Sequence, residues 1–460
     1  MDLSSPSQIN LQDQRITILG LGASGLAAIK LARHLGGQVF ASDSHTNSAI
    51  KSVAEDLKTL DIAVEIGGHS DAVFNADLWI ASPGIPQNAP LILKAKEQNI
   101  PVVSEIEFAS WFTKAPLVAV TGSNGKTTTV HLLAEMCQTN QLHGCLCGNV
   151  GIPFSAVVQQ DLVHPDPKRV FILEISSFQM EHIIHFKPYI SVFLNLTPDH
   201  LDRYKNMDEY VSAKLALARN QDNHDFIVYN LDDSLLTNHF QGHPSKKRPF
   251  SLTVKSGSTY FLNNTKILDE EHATLIHLEK LALPGRHNLA NALAAATAAH
   301  ILGIPDSQIQ KTMSSFGGVE HRLEKVSRIN GVTYYNDSKA TNVEAVKVAL
   351  DSFTAPILLI LGGKDKGAEF SQLLPHTHNK VKEIVAYGQA REKISAALRD
   401  AVRLEQATSL KEAVEICHRC AEPGDIVLLS PGCASFDQFK NFEERGRSFK
   451  SIVQNLKGLS

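Results

Sequence analysis

The run Thr121-Gly-Ser-Asn-Gly-Lys-Thr-Thr128 stands between an apolar stretch, Leu117-Val-Ala-Val120, and a segment that reads as helix. A loop in this setting aims successive backbone N–H groups and a helix start at an anion. Gly122 and Gly125 permit the tight path, and Ser123, Asn124 and Thr128 complete it. Lys126 has the reach for the terminal phosphates of a nucleotide, and the Thr127 hydroxyl suits Mg²⁺. Val120 stands where a strict P-loop has its first glycine, so the match departs from that pattern. The chemistry indicated is nucleotide-phosphate binding.

A second glycine turn, Gly20-Leu-Gly-Ala-Ser-Gly25, follows a short β-rich run, and Asp43 lies at about the distance of a ribose contact. Alone, the pattern admits a dinucleotide, some other phosphate, or a structural turn of close backbone approach. A nicotinamide-dependent dehydrogenase would use this turn but leaves the Gly-Lys-Thr loop unexplained.

Two further residues sit where strand ends put chemistry. Glu174 follows the apolar run Val170–Leu173, and His200 follows Asn195-Leu-Thr-Pro-Asp199. A carboxylate at a strand's C-terminal end can hold Mg²⁺ opposite a phosphate loop. One such residue alone would be unremarkable, whereas two at strand ends beside a phosphate loop form a candidate site.

The elements that must position these residues alternate strand and helix along 460 residues, which predicts parallel α/β architecture in two to three domains. Strands are expected at 15–20, 38–41, 78–82, 117–122, 170–177, 190–197, 332–335, 356–361, 383–387 and 425–430. Helices are expected at 24–34, 287–301 and 409–420. Residues 241–248 read as a polar loop inside a smaller strand-like excursion. The expected boundaries give domains at 1–104, 105–318 and 319–460.

The net charge of −4 argues against nucleic acid or an anionic membrane as the main partner. The first 14 residues are polar, and no apolar run approaches the roughly 20 residues of a membrane span. A cytoplasmic location is the expectation. Six cysteines read as reduced thiols. Cys417 and Cys420 fall on one face of an amphipathic helix and are expected in the core, not in a zinc site.

Taken together, the motifs resemble the Mur ligase family. They are the 121–128 loop, Gly148-Asn-Val-Gly151, Glu174-Ile-Ser176, Asn195-Leu-Thr-Pro-Asp-His-Leu-Asp202 and Gly285-Arg-His-Asn-Leu-Ala-Asn291. His321-Arg322, Asn336-Asp-Ser-Lys-Ala-Thr-Asn342 and Ser430-Pro-Gly-Cys-Ala-Ser-Phe-Asp-Gln-Phe439 continue the series. They occur in the family's order from about Gly20 to Arg447. The branch most similar adds D-glutamate to UDP-N-acetylmuramoyl-L-alanine. The Asp-Asn-Pro-Arg motif usual in the diaminopimelate- and lysine-adding branches is absent. A Mur-type ligase adding another amino acid is the alternative.

The resemblance implies three α/β domains: an N-terminal Rossmann-like domain for the UDP-sugar, a central P-loop-type mononucleotide-binding sheet, and a C-terminal Rossmann-like domain for ATP and D-glutamate. It implies ATP as phosphoryl donor, two Mg²⁺ ions, an acyl phosphate and a tetrahedral intermediate, in a monomer. Lys126, Glu174, His200, Lys214 and Lys339 would be catalytic. Thr127, Glu174, His200 and Lys214, the last as a carbamate, would hold metal. ATP would meet residues 122–128, Asn288, Asn291, Arg322 and Asp337. The UDP substrate would meet Ala23, Ser24, Asp43, Ser82, Asn149, Ser176 and His200. D-glutamate would meet Thr341, Lys366, Ser435, Phe436 and Phe442. The family often has Asp-Thr-Arg where this chain has Asp43-Ser-His45, and a histidine supplies no permanent charge there.

Overall fold

A computed structural model describes residues 3, 9–197, 204, 206–283 and 285–456. Among the described residues, strands gather into three sheets. The first is β1 (Arg15–Leu19), β2 (Gln38–Asp43), β3 (Ala63–Ile66), β4 (Leu78–Ala81) and β5 (Val102–Ser104), in the order β3-β2-β1-β4-β5 and parallel throughout.

The second sheet contains β6 (Leu117–Thr121), β7 (His143–Gly148), β8 (Arg169–Glu174), β9 (Ile190–Phe193) and β10 (Phe226–Asn230). It continues through β11 (Lys246–Ser251), β12 (Tyr260–Asn263), β13 (Lys266–Asp269) and β14 (Thr274–His277). Its order is β14-β13-β12-β11-β10-β9-β6-β8-β7. The third comprises β15 (Glu324–Ile329), β16 (Val332–Asn336), β17 (Ile357–Gly362), β18 (Val381–Tyr387), β19 (Arg403–Ala407) and β20 (Ile426–Leu429), ordered β15-β16-β20-β17-β18-β19. Three α/β domains result, N-terminal, central and C-terminal.

Two compact units divide these sheets. One is Met1–Lys280 with Ala290–Met313, and the other is Leu281–Leu289 with Ser314–Ser460. In the first unit a continuous core joins Ile18 and Ile80 of the N-terminal sheet to Phe108, Phe154, Phe171 and Phe193 around the central one. The buried Glu107 carboxylate fastens the two sheets. It accepts N–H groups from Ile184 (3.0 Å), His185 (2.8 Å) and Phe186 (2.7 Å), and the Trp111 indole N–H at 2.7 Å. In the second unit β17 is buried on both faces. Leu359 and Leu361 pack in one core, and Leu358 and Ile360 in the other, which is the alternation a covered parallel strand requires.

Four expectations from the sequence need correction. Parallel pairing does not hold throughout, because β12–β13, β13–β14 and β15–β16 are antiparallel. The reason is local: Asn330-Gly331, both at positive φ, close a two-residue hairpin between Ile329 and Val332, and Asn264 at φ +52° does so between β12 and β13. The polar loop expected at 241–248 gives way at Lys246 to β11, which pairs in parallel with β10 and carries the central sheet outward. The strands expected at 170–177 and 190–197 end sooner, at Glu174 and Phe193. Cys417 is in the core as expected, but Cys420 is only partly buried.

Candidate active site

In the first unit the 121–128 loop leaves β6 and enters the helix Lys126–Met136. Gly125 caps that helix at φ +89°, and a side chain there would place Cβ 2.1 Å from Asn291 Oδ1. Asn291 therefore stands directly against the loop. The Asn195–Thr197 segment, leaving β9, is stitched to the same loop. The Ser123 N–H donates to Asn195 O (3.0 Å), the Asn124 N–H to Asn195 Oδ1 (2.9 Å), and the Asn195 amide to Asn124 O (3.1 Å). The Ser123 hydroxyl donates to Thr197 O at 2.7 Å and lies 2.9 Å from the Tyr210 hydroxyl.

Two lysines converge on this loop. Lys126 Nζ donates to Gly122 O (2.7 Å) and Ser123 O (3.0 Å), and Lys214 Nζ donates to the same Gly122 O at 2.9 Å. Lys214 is 2% exposed and lies over the Tyr210 ring, 4.7 Å from its centroid. Two cationic side chains thus share one carbonyl oxygen at the root of the loop.

Glu174 ends β8, which pairs with β6 so that Glu174 lies opposite Val120 at the loop's root. It is 4% exposed. Its Oε1 accepts the Asn149 amide at 2.8 Å, and its buried Oε2 has no hydrogen-bond partner among the described residues. A buried carboxylate oxygen left so is costly unless something electropositive meets it. The chemistry fits Mg²⁺, which takes oxygen ligands from one or two carboxylates and from phosphates. The Thr127 hydroxyl lies at the same helix start and is a donor of the right type. Gly148 permits this approach, since a Cβ there would sit 2.6 Å from Glu174 O. Ser176 follows two residues on, held through its N–H and hydroxyl to Gln179 Oε1. His200 lies outside the described residues.

The N-terminal turn is built by close approach. A Cβ on Gly25 would fall 1.9 Å from Gly20 O, and one on Gly20 would fall 2.7 Å from the Ser82 Cβ. The turn at Gly20 thus faces Ser82, and Ala23 and Ser24 open the helix Ala23–His34, whose first-turn N–H groups suit an anion. Asp43 is buried against the turn. Burial pushes its pKa up, but the Leu21 N–H at Oδ2, with the His45 N–H and ring at Oδ1, outweighs that and holds it below the ordinary value. Asp43 thus organises the turn's backbone, and the His45 ring projects into solvent.

In the second unit, Asn336 at the end of β16 leads into the 337–342 loop. The buried Asp337 accepts the Ser430 hydroxyl at 2.8 Å and the Leu323 N–H at 3.2 Å. Burial raises its pKa to about 7 despite those bonds and the nearby Arg322 and Arg445 guanidiniums. Lys339 lies 5.0 Å from the Phe442 ring centroid, and Phe442 meets the His321 ring edge-on at 6.1 Å. Lys364 and Ala434 exchange backbone hydrogen bonds of 2.8 and 3.1 Å, which sets the loop bearing Lys366 beside the one bearing Ser435 and Phe436. Ser435 is buried, Lys366 is exposed, and Phe436 is 62% exposed. Thr341 is half-buried just before the helix Val343–Asp351. Asn288 is buried on the helix Arg286–Ile301, one turn before Asn291.

Two buried side chains that shape these loops escaped the sequence reading. Arg445 is fully buried and ties two loops together. Its guanidinium donates to the Ser338 hydroxyl (2.9 Å), Ser338 O (2.7 Å) and Cys433 O (3.1 Å). The available signal was its place one helical turn after Phe442, on the inward face of an amphipathic helix. Tyr210, one turn before Lys214 on the helix Met207–Leu215, links that helix to Ser123, and the same spacing was its signal.

Comparison with known proteins agrees with this geometry. Residues 14–104 match the family model for the Mur ligase MurD-like N-terminal domain, 120–299 the Mur ligase middle domain, and 321–433 the Mur ligase glutamate ligase domain. A curated relative from Christiangramia forsetii, UDP-N-acetylmuramoylalanine--D-glutamate ligase, is 43% identical and spans 96% of this chain and 100% of its own. One of the same name from Chloroherpeton thalassium is 42% identical over 97% and 99%. The crystal structure of the MurF ligase from Thermotoga maritima in complex with ADP shares the fold, with a TM-score of 0.59 at 13% identity, covering 99% of this chain and 98% of that one. The chain belongs to the Mur ligase family, on the branch whose curated members are named UDP-N-acetylmuramoylalanine--D-glutamate ligase.

Proposed function

We propose that the chain is an ATP-dependent amide-bond ligase joining D-glutamate to UDP-N-acetylmuramoyl-L-alanine, with release of ADP and phosphate, in cytoplasmic assembly of peptidoglycan precursors. The observation that carries the mechanism is the buried, orphaned Glu174 Oε2 beside a phosphate-binding loop that two lysines approach. The relatives' shared name carries the choice of substrates.

The reaction begins when the alanyl carboxylate attacks the γ-phosphorus of ATP, giving an acyl phosphate and ADP. The amine of D-glutamate then adds to the acyl carbon. The tetrahedral intermediate collapses with loss of phosphate and one proton. The 122–128 N–H groups and Lys126 bind the phosphates, with Asn288, Asn291, Arg322 and Asp337 on ATP. Lys339 supplies a second point charge, and Arg322 a planar fork suited to phosphate oxygens. Mg²⁺, held by Thr127, Glu174, His200 and Lys214, would neutralise phosphate charge.

Lys214 fits that set as a carbamate, formed when its neutral amine adds CO₂ and loses a proton. The change replaces one of the two cations at Gly122 O with an anion. Ala23, Ser24, Asp43, Ser82, Asn149, Ser176 and His200 take the UDP-sugar peptide. Thr341, Lys366, Ser435, Phe436 and Phe442 take D-glutamate, Lys366 being the cation its second carboxylate requires. The domains divide as 1–104, 105–318 and 319–460, and the chain acts as a monomer. No helix among the described residues is long and apolar enough to cross a membrane.

The test is ADP release by the purified chain with each component omitted in turn. The proposal expects turnover only when ATP, Mg²⁺, D-glutamate and the UDP-peptide are all present. Phosphate release that ignores both D-glutamate and the UDP-peptide would overturn it in favour of a nucleotide-driven switch.

A further inference from the structure

Within the second unit a group of side chains, Cys420 among them, stands apart from the residues assigned above to nucleotide, substrate or Mg²⁺. β18 and β19 pair in parallel with Glu383 opposite Arg403 and Val385 opposite Glu405. The two-residue alternation of a strand puts Glu383 and Glu405 on the face that carries Val385. Val385 packs there against Ala413, Val414 and Cys417 of the helix Leu410–Cys420. The last residue of that helix is Cys420. One carboxylate oxygen from each glutamate and the Cys420 Sγ lie within 4.8 Å of one another.

Glu383 is the informative member. It is 3% exposed, and its buried Oε1 has no hydrogen-bond partner among the described residues. Arg403 Nε lies 3.3 Å from that oxygen without the geometry of a hydrogen bond, while its Nη2 donates to Glu405 Oε1 at 3.3 Å, and Arg419 Nη2 lies 3.8 Å from Glu405 Oε2. Both arginines are about two-thirds exposed, at 64% and 68%. Ion pairs made by such mobile, solvated side chains are weak. They balance charge without satisfying the buried oxygen, so a cation can compete with them.

We propose that Glu383, Glu405 and Cys420 form a binding site for a borderline divalent cation of the zinc type. A thiolate with two carboxylates favours such an ion over Mg²⁺, which prefers oxygen alone. Three protein ligands plus water make a four-coordinate site. Ligand atoms around zinc stand about 3.3–3.8 Å apart, given bond lengths near 2.1 Å to oxygen and 2.3 Å to sulfur. The three donor atoms already lie within 4.8 Å of one another, so small side-chain adjustments bring them to that spacing. Cys420 and Glu405 are only half-buried, so the ion and its water have a way in. The carbonyl end of the helix adds partial negative charge at the same point. Coordination displaces the thiol proton to solvent, with no change of oxidation state, and joins two strands to the end of a helix.

The probe is Co²⁺, titrated into the metal-free full-length chain without reductant thiols. The expected result is one saturable equivalent with a thiolate-to-cobalt charge-transfer band in the near ultraviolet, displaced by Zn²⁺. Cys420→Ser abolishes the band, and Glu383→Gln weakens binding at least tenfold. Melting curves of the metal-free variants check folding. Should either variant fail to fold, the half-exposed Glu405→Gln carries the test with the same tenfold loss expected. Absence of a saturable band overturns the site, as does a band that survives Cys420→Ser or undiminished binding by the folded glutamine variants.

Discussion

Glu174→Gln separates a metal-holding carboxylate from one that merely anchors Asn149. Glutamine has nearly the same shape, and its amide oxygen can still accept the 2.8 Å bond from Asn149. The remaining atom changes from an oxygen without a hydrogen-bond partner to an NH₂ in the same buried place. One unsatisfied group replaces another, so stability should shift by no more than about 1 kcal/mol. Catalysis should respond to the lost charge. A unit charge 4 Å from an opposite unit charge is worth about 4 kcal/mol at an effective dielectric of 20. At 1.36 kcal/mol per decade this corresponds to a fall in turnover of roughly a thousandfold. The assay is steady-state ADP release at saturating substrates over a Mg²⁺ titration, paired with a thermal melt. A folded variant that turns over within tenfold of the parent at all Mg²⁺ concentrations would refute the reasoning and leave Glu174 as an anchor.

Gly125→Ala imposes a left-handed residue, costing about 1–2 kcal/mol, and drives Cβ into Asn291 Oδ1. An ATP titration should show KM raised at least tenfold with the melting temperature lowered by a few degrees; parental values would contradict the loop's role. Lys214→Ala should lose most activity and regain part of it with added formate or acetate, and failure of short carboxylates to rescue argues against the carbamate. Asp337 makes stability depend on pH. Its folded pKa of about 7 exceeds the ordinary 3.8, so its stabilising contribution is present in acid and disappears as pH rises towards 7. The difference corresponds to on the order of 4 kcal/mol. Asp337→Asn should flatten the fall in melting temperature between pH 5 and 8, and an unchanged slope would contradict this.

What was legible in the sequence was what local rules govern. Strands that run into glycine, such as Leu117–Thr121, announce a phosphate turn because backbone geometry and residue type coincide within a few positions. Glu174 was legible for the same reason, since strand C-termini in parallel sheets face the ligand side. Arg445 was not, because its partners Ser338 and Cys433 are brought to it by the tertiary fold. Tyr210 reaches Ser123 across 87 positions and was equally hidden. The strand-like excursion around 241–248 was read from the sequence, but β11 within it was missed because Lys246-Lys-Arg248 looks like solvated loop. Its strand character comes from pairing with β10. The Asn330-Gly331 hairpin, by contrast, carried a plain local signal that the regular strand–helix alternation obscured. Cys420 shares a helical face with Cys417, yet it sits at the helix end where the core stops, and periodicity alone does not report that.

The central claim is that this site activates a muramoyl-peptide carboxylate for attack by one amino acid. Its most direct measurement supplies UDP-N-acetylmuramoyl-L-alanine, ATP and Mg²⁺ with D-glutamate, L-glutamate, L-alanine, L-lysine or meso-diaminopimelate in turn, and weighs the product by mass spectrometry. The account predicts a single adduct, heavier by one glutamyl residue, formed with the D-isomer alone. An adduct with another amino acid instead, or ADP without any adduct, would contradict it.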